Sequence, residues 1–167
     1  GVKMIPKKIH YIWLGKSEKT SFINSCIVSW RQMMPDYEII EWNEDNIDIE
    51  KIRKECKFFV ECYKRKAYAF MSDYLRFKIL YENGGIYFDT DVEVIRPMND
   101  IITNGSFMGY EDEKGLLNVS NHYVNPGLGM GIPPGHNLLK EILEYYHYRD
   151  LFTWDGRIED TIVFNTT

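Results

Sequence analysis

Residues 72–96 read SDYLRFKILYENGGIYFDTDVEVIR, a helical apolar pattern that stops at Gly84-Gly85 before a short apolar strand. That strand, residues 86–88, delivers Asp89-Thr90-Asp91 at its carboxyl end. The helix before it is predicted over residues 67–83, with these apolar side chains on its buried stripe: Ala67, Phe70, Met71, Tyr74, Leu75 and Ile79. The rest of the chain is therefore expected to be arranged around one helix, one turn and one strand that ends in acidic residues.

The two acids of the D-x-D triplet are candidate metal ligands. Side chains alternate along an extended chain, so Asp89 and Asp91 are predicted to project to one side and Thr90 to the other. Neighbouring carboxylates repel each other unless a cation or a proton lies between them. Oxygen ligands suit Mg²⁺ or Mn²⁺, which also bind phosphate oxygens, so the pair predicts a metal–diphosphate site. The alternative is a polar turn between two strands.

Asp73 and Arg76 lie three residues apart on the predicted helix, which makes them neighbours on one face. Two interpretations stay open. They form either an exposed ion pair of little energetic worth, or a pair that hydrogen-bonds sugar hydroxyls, with the guanidinium also near phosphate.

Composition limits the class of protein. A chain of 167 residues suits a single domain with a real core, and 44% hydrophobic residues argue against disorder. The net charge of −5, without a long block of like charges, favours neither nucleic acid nor an anionic membrane as a partner. The run Lys64-Arg65-Lys66 is interpreted as a solvated helix face. No apolar run is long enough for an integral membrane segment, and the three cysteines suggest reduced thiols in a cytosolic protein.

The segments before the main helix predict a parallel sheet. Residues 8–14 form a first strand, and Trp13 at its end lies either beside a ligand crevice or in the core. A helix capped by Ser21 and stopped by Pro35 follows, and then a second strand over residues 37–42. A strand–helix–strand unit of this kind favours parallel pairing.

Further elements are predicted on either side of the D-x-D unit. Helices are expected at 48–56 and 137–148, with Asn137 as a cap and His136 as a helix-start residue rather than a metal ligand. Residues 58–65 are expected to form either a further helix or an extension of the helix that follows. The strand that carries the acids should continue through residues 92–95, with further strands at 106–111, 116–124 and 162–165. The glycine-rich run over residues 125–131 would let the backbone approach a ligand closely, although a simple loop would look the same.

Three quoted segments together resemble family 32 glycosyltransferases, the sugar-binding D-x-D enzymes: IPKKIHYIWLG, SDYLRFKILYENGGIYFDTDVE and the NPGLGMG…PGH region. That family includes bacterial capsular polysaccharide and lipooligosaccharide transferases and fungal mannosyltransferases, and the clostridial glucosylating toxins are more distant relatives. The resemblance implies an α/β GT-A fold, a Rossmann-like mixed central sheet flanked by helices. It also implies a nucleotide-sugar donor, Mn²⁺ or Mg²⁺ as cofactor, and transfer with retention of configuration.

The resemblance also implies roles for individual residues. Trp13 would stack on the base, Asp73 and Arg76 would hold the donor sugar, and Asn125 would belong to the donor loop. Asp91 would bind the metal directly, and Asp89 would be shared between ribose, sugar and metal; with Arg76, these two acids form the expected catalytic set.

The expected function is metal-dependent, retaining transfer of a sugar to a glycan or other hydroxyl acceptor, with a UDP-sugar favoured over a GDP-sugar. Capsular or other surface polysaccharide synthesis in a bacterium would be its setting, in the cytoplasm or peripheral to the inner face of the membrane. Members of the family take a further metal or phosphate ligand from near the carboxyl end of the catalytic domain. Residues 1–167 are therefore expected to be one GT-A domain that lacks its native C-terminal segment.

Two rival functions are weighed against transfer. The first is a metal-dependent carbohydrate-binding domain without turnover. The second is a phosphohydrolase of the haloacid-dehalogenase kind, which also carries D-x-D after an apolar strand. The phosphohydrolase motif needs Thr or Val two residues after its second Asp, where this chain has Glu93. In those enzymes the motif also lies on the first strand, whereas here other elements precede it.

Overall fold

A mixed five-stranded sheet lies at the centre of the fold, as a computed structural model shows for residues 3–112, 122–153 and 155–157, the part of the chain that it describes. The sheet contains β1 (Lys8–Ile12), β2 (Glu38–Trp42), β3 (Gly85–Tyr87), β4 (Phe107–Met108) and β7 (Met130–Ile132), and a separate two-stranded sheet contains β5 (Tyr110–Asp112) and β6 (His122–Val124). The helices are α1 (Ser21–Met33), α2 (Ile49–Glu55), α3 (Lys57–Lys64), α4 (Tyr68–Asn83), α5 (Asn99–Ile102) and α6 (Asn137–Tyr148).

The order of the central strands is β2-β1-β3-β7-β4. β1 pairs in parallel with both β2 and β3, which confirms the predicted strand–helix–strand unit. β7 pairs antiparallel with β3 and with β4, so the sheet is mixed. Because β1, β2 and β3 run in the same direction, their carboxyl ends meet at one edge of the sheet.

Two apolar clusters cover the faces of the sheet, and the period-2 alternation of β3 assigns its side chains to them. Ile86 and Phe88 pack with Trp30 of α1 in one cluster, whereas Tyr87 packs with Tyr74 of α4 in the other. Helix α6 completes the second cluster, where the ring of Tyr146 lies 5.4 Å from that of Tyr74.

Helix boundaries follow capping side chains, with small corrections to the prediction. Thr20, rather than Ser21, caps α1 by accepting a hydrogen bond from the amide of Ile23. His136, rather than Asn137, caps α6 through Nδ1, which accepts from the amide of Leu138 and agrees with the helix-start role. Phe70, predicted on the buried stripe of α4, is 37% exposed because the first turn of that helix protrudes.

The strand predictions after the D-x-D triplet are partly wrong. Residues 92–95 do not extend β3, because the chain turns after Tyr87. The single strand predicted over 106–111 is two strands, β4 and β5, in different sheets. The strand predicted over 116–124 is present as β6 at residues 122–124, and its earlier part, like the strand predicted at 162–165, lies outside the described residues.

Two general features complete the description. All three cysteines are buried and free, so the chain has no disulfide frame. Within the described ranges, none of the helices combines the length and the hydropathy that crossing a bilayer would require.

Candidate functional site

The candidate site lies at the carboxyl edge of the parallel strands. The register places His10 of β1 opposite Tyr87 of β3, so Trp13 and Asp89 leave the sheet at the same edge. Helix α4, which ends at the turn before β3, brings Asp73 and Arg76 to this region.

Asp89 is held by contacts from two directions. The hydroxyl of Tyr87 donates a 2.7 Å hydrogen bond to Oδ1, and the amide of Asp89 donates to the carbonyl oxygen of Gly127 over 2.8 Å. Burial first, and then the negative charge of Asp89, raises the pKa of Tyr87 well above its ordinary value, so the phenol stays a neutral donor. The Asp89 carboxylate is thus oriented without help from a ligand.

The backbone of Gly127 lies directly against that carboxylate. A Cβ at this position would collide with Oδ2 of Asp89 and would lie 3.1 Å from Nη1 of Arg76. The amide of Gly127 is held by Oδ1 of Asn125 at 3.0 Å, inside a short 3-10 turn over Pro126–Leu128. The glycine-rich run therefore forms one wall of the site, and Asn125 shapes that wall.

Arg76 is a buried cation at the centre of these groups. Its side chain is 2% exposed, and Nη2 donates to Oδ1 of Asp73 over 2.8 Å. Its Nε–H is buried and has no hydrogen-bond partner among the described residues. The interpretation of this pair as a simple exposed ion pair is therefore wrong. Burial raises the pKa of Asp73, Arg76 lowers it, and the charge of Asp89 raises it, so the two acids and the arginine share one electrostatic environment.

Asp91 does not project from an extended strand, contrary to the alternation expected from sequence. β3 ends at Tyr87, and the amide of Val92 donates to the carbonyl oxygen of Asp89 over 3.1 Å, which closes a turn over Asp89–Val92. Asp91 lies exposed in this turn, whereas Asp89 is half-buried. Asp89 and Asp91 therefore lie at the edge of the site in a turn and not in a continued strand.

Helix α1 fixes the segment that follows this turn. The indole N–H of Trp30 donates to the carbonyl oxygen of Val92 over 2.7 Å, and the amide of Val94 donates to Oγ of Ser29 over 2.9 Å. Trp30 and Ser29 are both buried. Their two hydrogen bonds fix the chain that follows the Asp91 turn, and the hydrogen bond from Asp89 to Gly127 fixes the chain that precedes it.

Trp13 is partly packed against the core, and its role towards a ligand stays a prediction. Its ring is half-buried and packs against the apolar cluster that contains Trp30 of α1. The indole N–H donates to the carbonyl oxygen of Ser17 over 2.7 Å, and the ammonium of Lys19, paired with Glu41, lies 5.7 Å from the ring centroid. Since its only hydrogen-bond donor is already used, Trp13 can offer a ligand only its ring face.

Sequence analysis missed four residues of this arrangement: Ser29, Trp30, Tyr87 and Gly127. Tyr87 could have been found, because period-2 alternation puts residues 87 and 89 on the same side of the strand. The other three depend on contacts between distant segments, which local patterns do not encode.

The donor set fits a hard divalent cation in part. Within the described ranges no group of three or more His, Cys, Asp or Glu is placed to hold a metal ion. Asp89 and Asp91 nevertheless offer carboxylate oxygens at the site edge, and Mg²⁺ is commonly bound by one or two carboxylates together with waters and substrate phosphates. Two acids are therefore compatible with a cation that arrives with a diphosphate.

Solved structures share this fold. The chain superposes on the PaToxG glycosyltransferase with a TM-score of 0.61 at 16% sequence identity, which covers 85% of this chain and 60% of that one. The mixed sheet flanked by helices is thus the GT-A-type fold that the sequence predicted.

Curated proteins of known name are similar to this chain in sequence. Inositol phosphoceramide mannosyltransferase 3 of Schizosaccharomyces pombe is 28% identical over 83% of this chain, and mannosyl phosphorylinositol ceramide synthase CSH1 of Saccharomyces cerevisiae is 30% identical over 88%. The chain spans just over a third of each relative, 36% and 37%. A family profile matches residues 21–108, just over half of the chain and the region that contains Asp73, Arg76, Asp89 and Asp91. The chain therefore belongs to the family described as "Glycosyltransferase sugar-binding region containing DXD motif".

Proposed function

We propose that this chain binds a nucleoside diphosphate sugar and transfers its hexose, with retention of configuration and with a divalent cation, to a hydroxyl acceptor. The observation that carries this proposal is the burial of Arg76, with an unpartnered Nε–H, between Asp73 and the Asp89–Gly127 contact. A buried, charged donor without a partner is costly, so a ligand that accepts its hydrogen bond would stabilise the site.

Different side chains of the site bind different parts of the donor. The ring face of Trp13 takes the base, since its N–H is already bonded to Ser17. The carboxylates of Asp73 and Asp89 accept hydrogen bonds from ribose or sugar hydroxyls, and Arg76 donates to the sugar or to phosphate. Asn125 keeps the Gly127 backbone against Asp89 and so shapes the sugar pocket.

Asp91, with Asp89, would hold Mn²⁺ or Mg²⁺. When bound, the cation would neutralise the negative charge that develops on the nucleoside diphosphate leaving group. The residues of the chain orient the donor: Tyr87 fixes Asp89 by a hydrogen bond, and Trp30 fixes the segment after Asp91.

The sugar and the acceptor are proposed from the relatives. Their names specify mannosyl transfer and inositol phosphoceramide, which favours mannose as the sugar and a hydroxyl on a membrane-associated acceptor. The family resemblance instead favours a UDP-sugar and surface polysaccharide synthesis at the cytoplasmic face of a membrane. UDP-sugars and GDP-mannose are therefore the two donor classes to compare.

Thermal unfolding distinguishes the donor classes. UDP and GDP are each added with and without Mn²⁺, and Mn²⁺ alone and a sugar monophosphate serve as controls. A ligand at a hundred times its dissociation constant adds about 2.7 kcal/mol to the free energy of unfolding, which raises the midpoint by roughly 5–11 °C for a domain of this size. A Mn²⁺-dependent shift with one nucleotide supports the proposal, and no shift with either contradicts it.

A second experiment tests the sugar contact and separates transfer from binding alone. In Arg76→Lys the charge remains but the planar fork is lost, so affinity for the sugar nucleotide should fall at least tenfold and affinity for the bare nucleotide much less. Equal losses would contradict the assignment of Arg76 to the sugar. Release of nucleoside diphosphate from the intact donor is measured in parallel, because tight binding without any release would favour a carbohydrate-binding domain.

A further inference from the structure

The α3–α4 corner, residues 63–70 with the sequence YKRKAYAF, protrudes from the fold. α3 ends at Lys64 and α4 begins at Tyr68, and the chain reverses between them with Lys66 at a positive φ of 52°. Seven of these eight residues are exposed, and only Ala67 is half-buried. The run of basic residues is therefore part of a projecting corner and not a face of one helix, as its spacing suggested.

The corner is basic in a chain that is acidic. Lys64, Arg65 and Lys66 fall in a stretch, residues 62–72, that contains no Asp or Glu, although the whole chain carries a net charge of −5. Lys64, which is exposed, pairs with the half-buried Glu61 at 3.5 Å. Arg65 donates to the carbonyl oxygen of Gly156 and also pairs with Glu61 at 3.7 Å, while 47% of its side chain remains accessible. One carboxylate is thus shared by two cations, and Lys66 adds a third positive charge. Positive charge is thus available at the tip.

Three aromatic rings surround these cations. Tyr63 and Tyr68 are each 40% exposed and Phe70 is 37% exposed. The guanidinium of Arg53 lies 4.9 Å from the ring centroid of Tyr63, so a further cation lies beside this aromatic group. Exposed aromatic rings beside lysine and arginine are typical of surfaces that insert into the headgroup region of a bilayer.

The corner borders the candidate donor site. A Cβ at Gly15 would lie 2.8 Å from Cε2 of Tyr68, so the Tyr68 ring rests on the loop that follows β1. Gly15 is two residues beyond Trp13, at the carboxyl edge of the sheet. A surface that met the corner would therefore lie near the opening of the site.

We infer that the α3–α4 corner docks this protein on an anionic lipid bilayer. The phosphate and carboxylate headgroups match its lysines, and the interface accommodates its partly exposed rings. The remainder of the chain carries the excess of acidic residues, so attraction should be strongest at this corner. The inference does not depend on which sugar is transferred, or on whether the site binds a metal.

Vesicle co-sedimentation tests the inference at low and at physiological salt. The vesicles are phosphatidylcholine alone and phosphatidylcholine with phosphatidylserine, and the protein is the whole chain. Each lysine near an anionic surface contributes roughly a fivefold change in the partition coefficient, so the double variant Lys64→Gln, Lys66→Asn should lose about twenty-five-fold. Asn is chosen at position 66 because it tolerates the positive φ.

A matched control changes the same charge elsewhere. Lys51→Gln, Lys54→Gln removes two exposed lysines of α2, outside the corner, and should change partitioning less than twofold. A third variant, Tyr63→Ser with Phe70→Ser, should weaken binding at physiological salt, where the charges of the lysines are partly screened.

The outcomes separate clearly. Binding that requires phosphatidylserine and is lost only in the corner variants supports the inference. Equal binding to neutral vesicles, equal losses in the α2 control, or binding to an oligonucleotide in place of vesicles would each overturn it. Thermal unfolding with nucleotide and Mn²⁺ is repeated on every variant. An unchanged nucleotide shift in a variant that no longer sediments shows that membrane docking, and not donor binding, was removed.

Discussion

The indole N–H of Trp30 donates to the carbonyl oxygen of Val92 over 2.7 Å and joins helix α1 to the segment after the D-x-D triplet. Trp30→Phe keeps an aromatic ring against Phe88 but removes the donor, which leaves the Val92 carbonyl without this partner. We expect the free energy of unfolding to fall by about 1–3 kcal/mol. We also expect Mn²⁺ affinity in the presence of nucleotide to fall several-fold, because the Asp91 turn loses an anchor. Urea unfolding and Mn²⁺ titration measure the two effects.

The hydroxyl of Ser29 provides the matched test for that contact. Ser29→Ala removes the acceptor of the Val94 amide and should weaken Mn²⁺ affinity in the same direction. Ser25→Ala makes the same change on the same helix, where the exposed hydroxyl donates to the carbonyl oxygen of Phe22 and makes no hydrogen bond with residues 92–94, and it should leave Mn²⁺ affinity unchanged. Identical Mn²⁺ affinity in all three variants would show that α1 is structural only.

Asp91→Asn should abolish the metal-dependent part of nucleotide binding and leave stability within about 0.5 kcal/mol, because the side chain is exposed in a turn and belongs to no core. Calorimetric titration of UDP or GDP with and without Mn²⁺ measures the effect. Glu93→Gln removes the same charge from an exposed residue two positions on and should bind normally. Unchanged Mn²⁺-dependent affinity in Asp91→Asn would exclude Asp91 as a ligand.

Gly127→Ala should strongly reduce donor binding while the protein remains folded. The added methyl group would occupy the space of the Asp89 carboxylate and approach Arg76, so both side chains must move. We expect at least a tenfold loss of affinity for the sugar nucleotide. Leu128→Ala, in the same turn and 39% exposed, serves as the control. A Gly127→Ala protein with full affinity would mean that Asp89 is not placed by this wall.

Stability should fall as the pH drops below about 6.5 because of His10. Its Nδ1 accepts from the indole N–H of Trp42, so Nε2 carries the proton and donates to the carbonyl oxygen of Gly84. Burial lowers the pKa of His10 in the folded protein. The unfolded chain therefore binds a proton first as the pH falls, and the free energy of unfolding declines from the ordinary pKa of 6.5 downward, by up to about 1.4 kcal/mol per pH unit.

Urea unfolding between pH 8 and pH 5 measures this slope. Burial also lowers the pKa of His147, which adds a parallel contribution. His147→Gln removes that contribution, and we expect a slope from His10 to remain. A flat profile in this variant would contradict a buried, neutral His10.

Local signals predicted the helices well. The bounds of α1, α4 and α6 agree with the sequence to within one or two residues, because Pro35, Gly84 and the residues around His136 are strong start and stop signals. The parallel pairing of β1 and β2 was also predicted, because a strand–helix–strand unit favours it. The Asp73–Arg76 contact was predicted because helix geometry alone places residues three apart together.

Contacts between distant segments could not be predicted. The Trp30–Val92 and Ser29–Val94 hydrogen bonds join residues 62 and 65 positions apart, and no local pattern marks them. The extended geometry assumed for the D-x-D triplet was wrong, because the chain turns over Asp89–Val92, where the amide of Val92 donates to the carbonyl oxygen of Asp89. Period-2 reasoning applies only where a strand continues.

Because β7 lies between β3 and β4, the central sheet cannot be completed until residues 130–132 have been synthesised. β3 pairs with β1 on one side, but its other edge is paired only by residues 130–132. A nascent chain that has emerged only as far as residue 108, where the matched family region ends, would expose that edge and lack the Gly127 wall. Ribosome-bound intermediates of this length would therefore be prone to aggregation and unable to bind donor, and an expression boundary drawn at residue 108 would reproduce both defects.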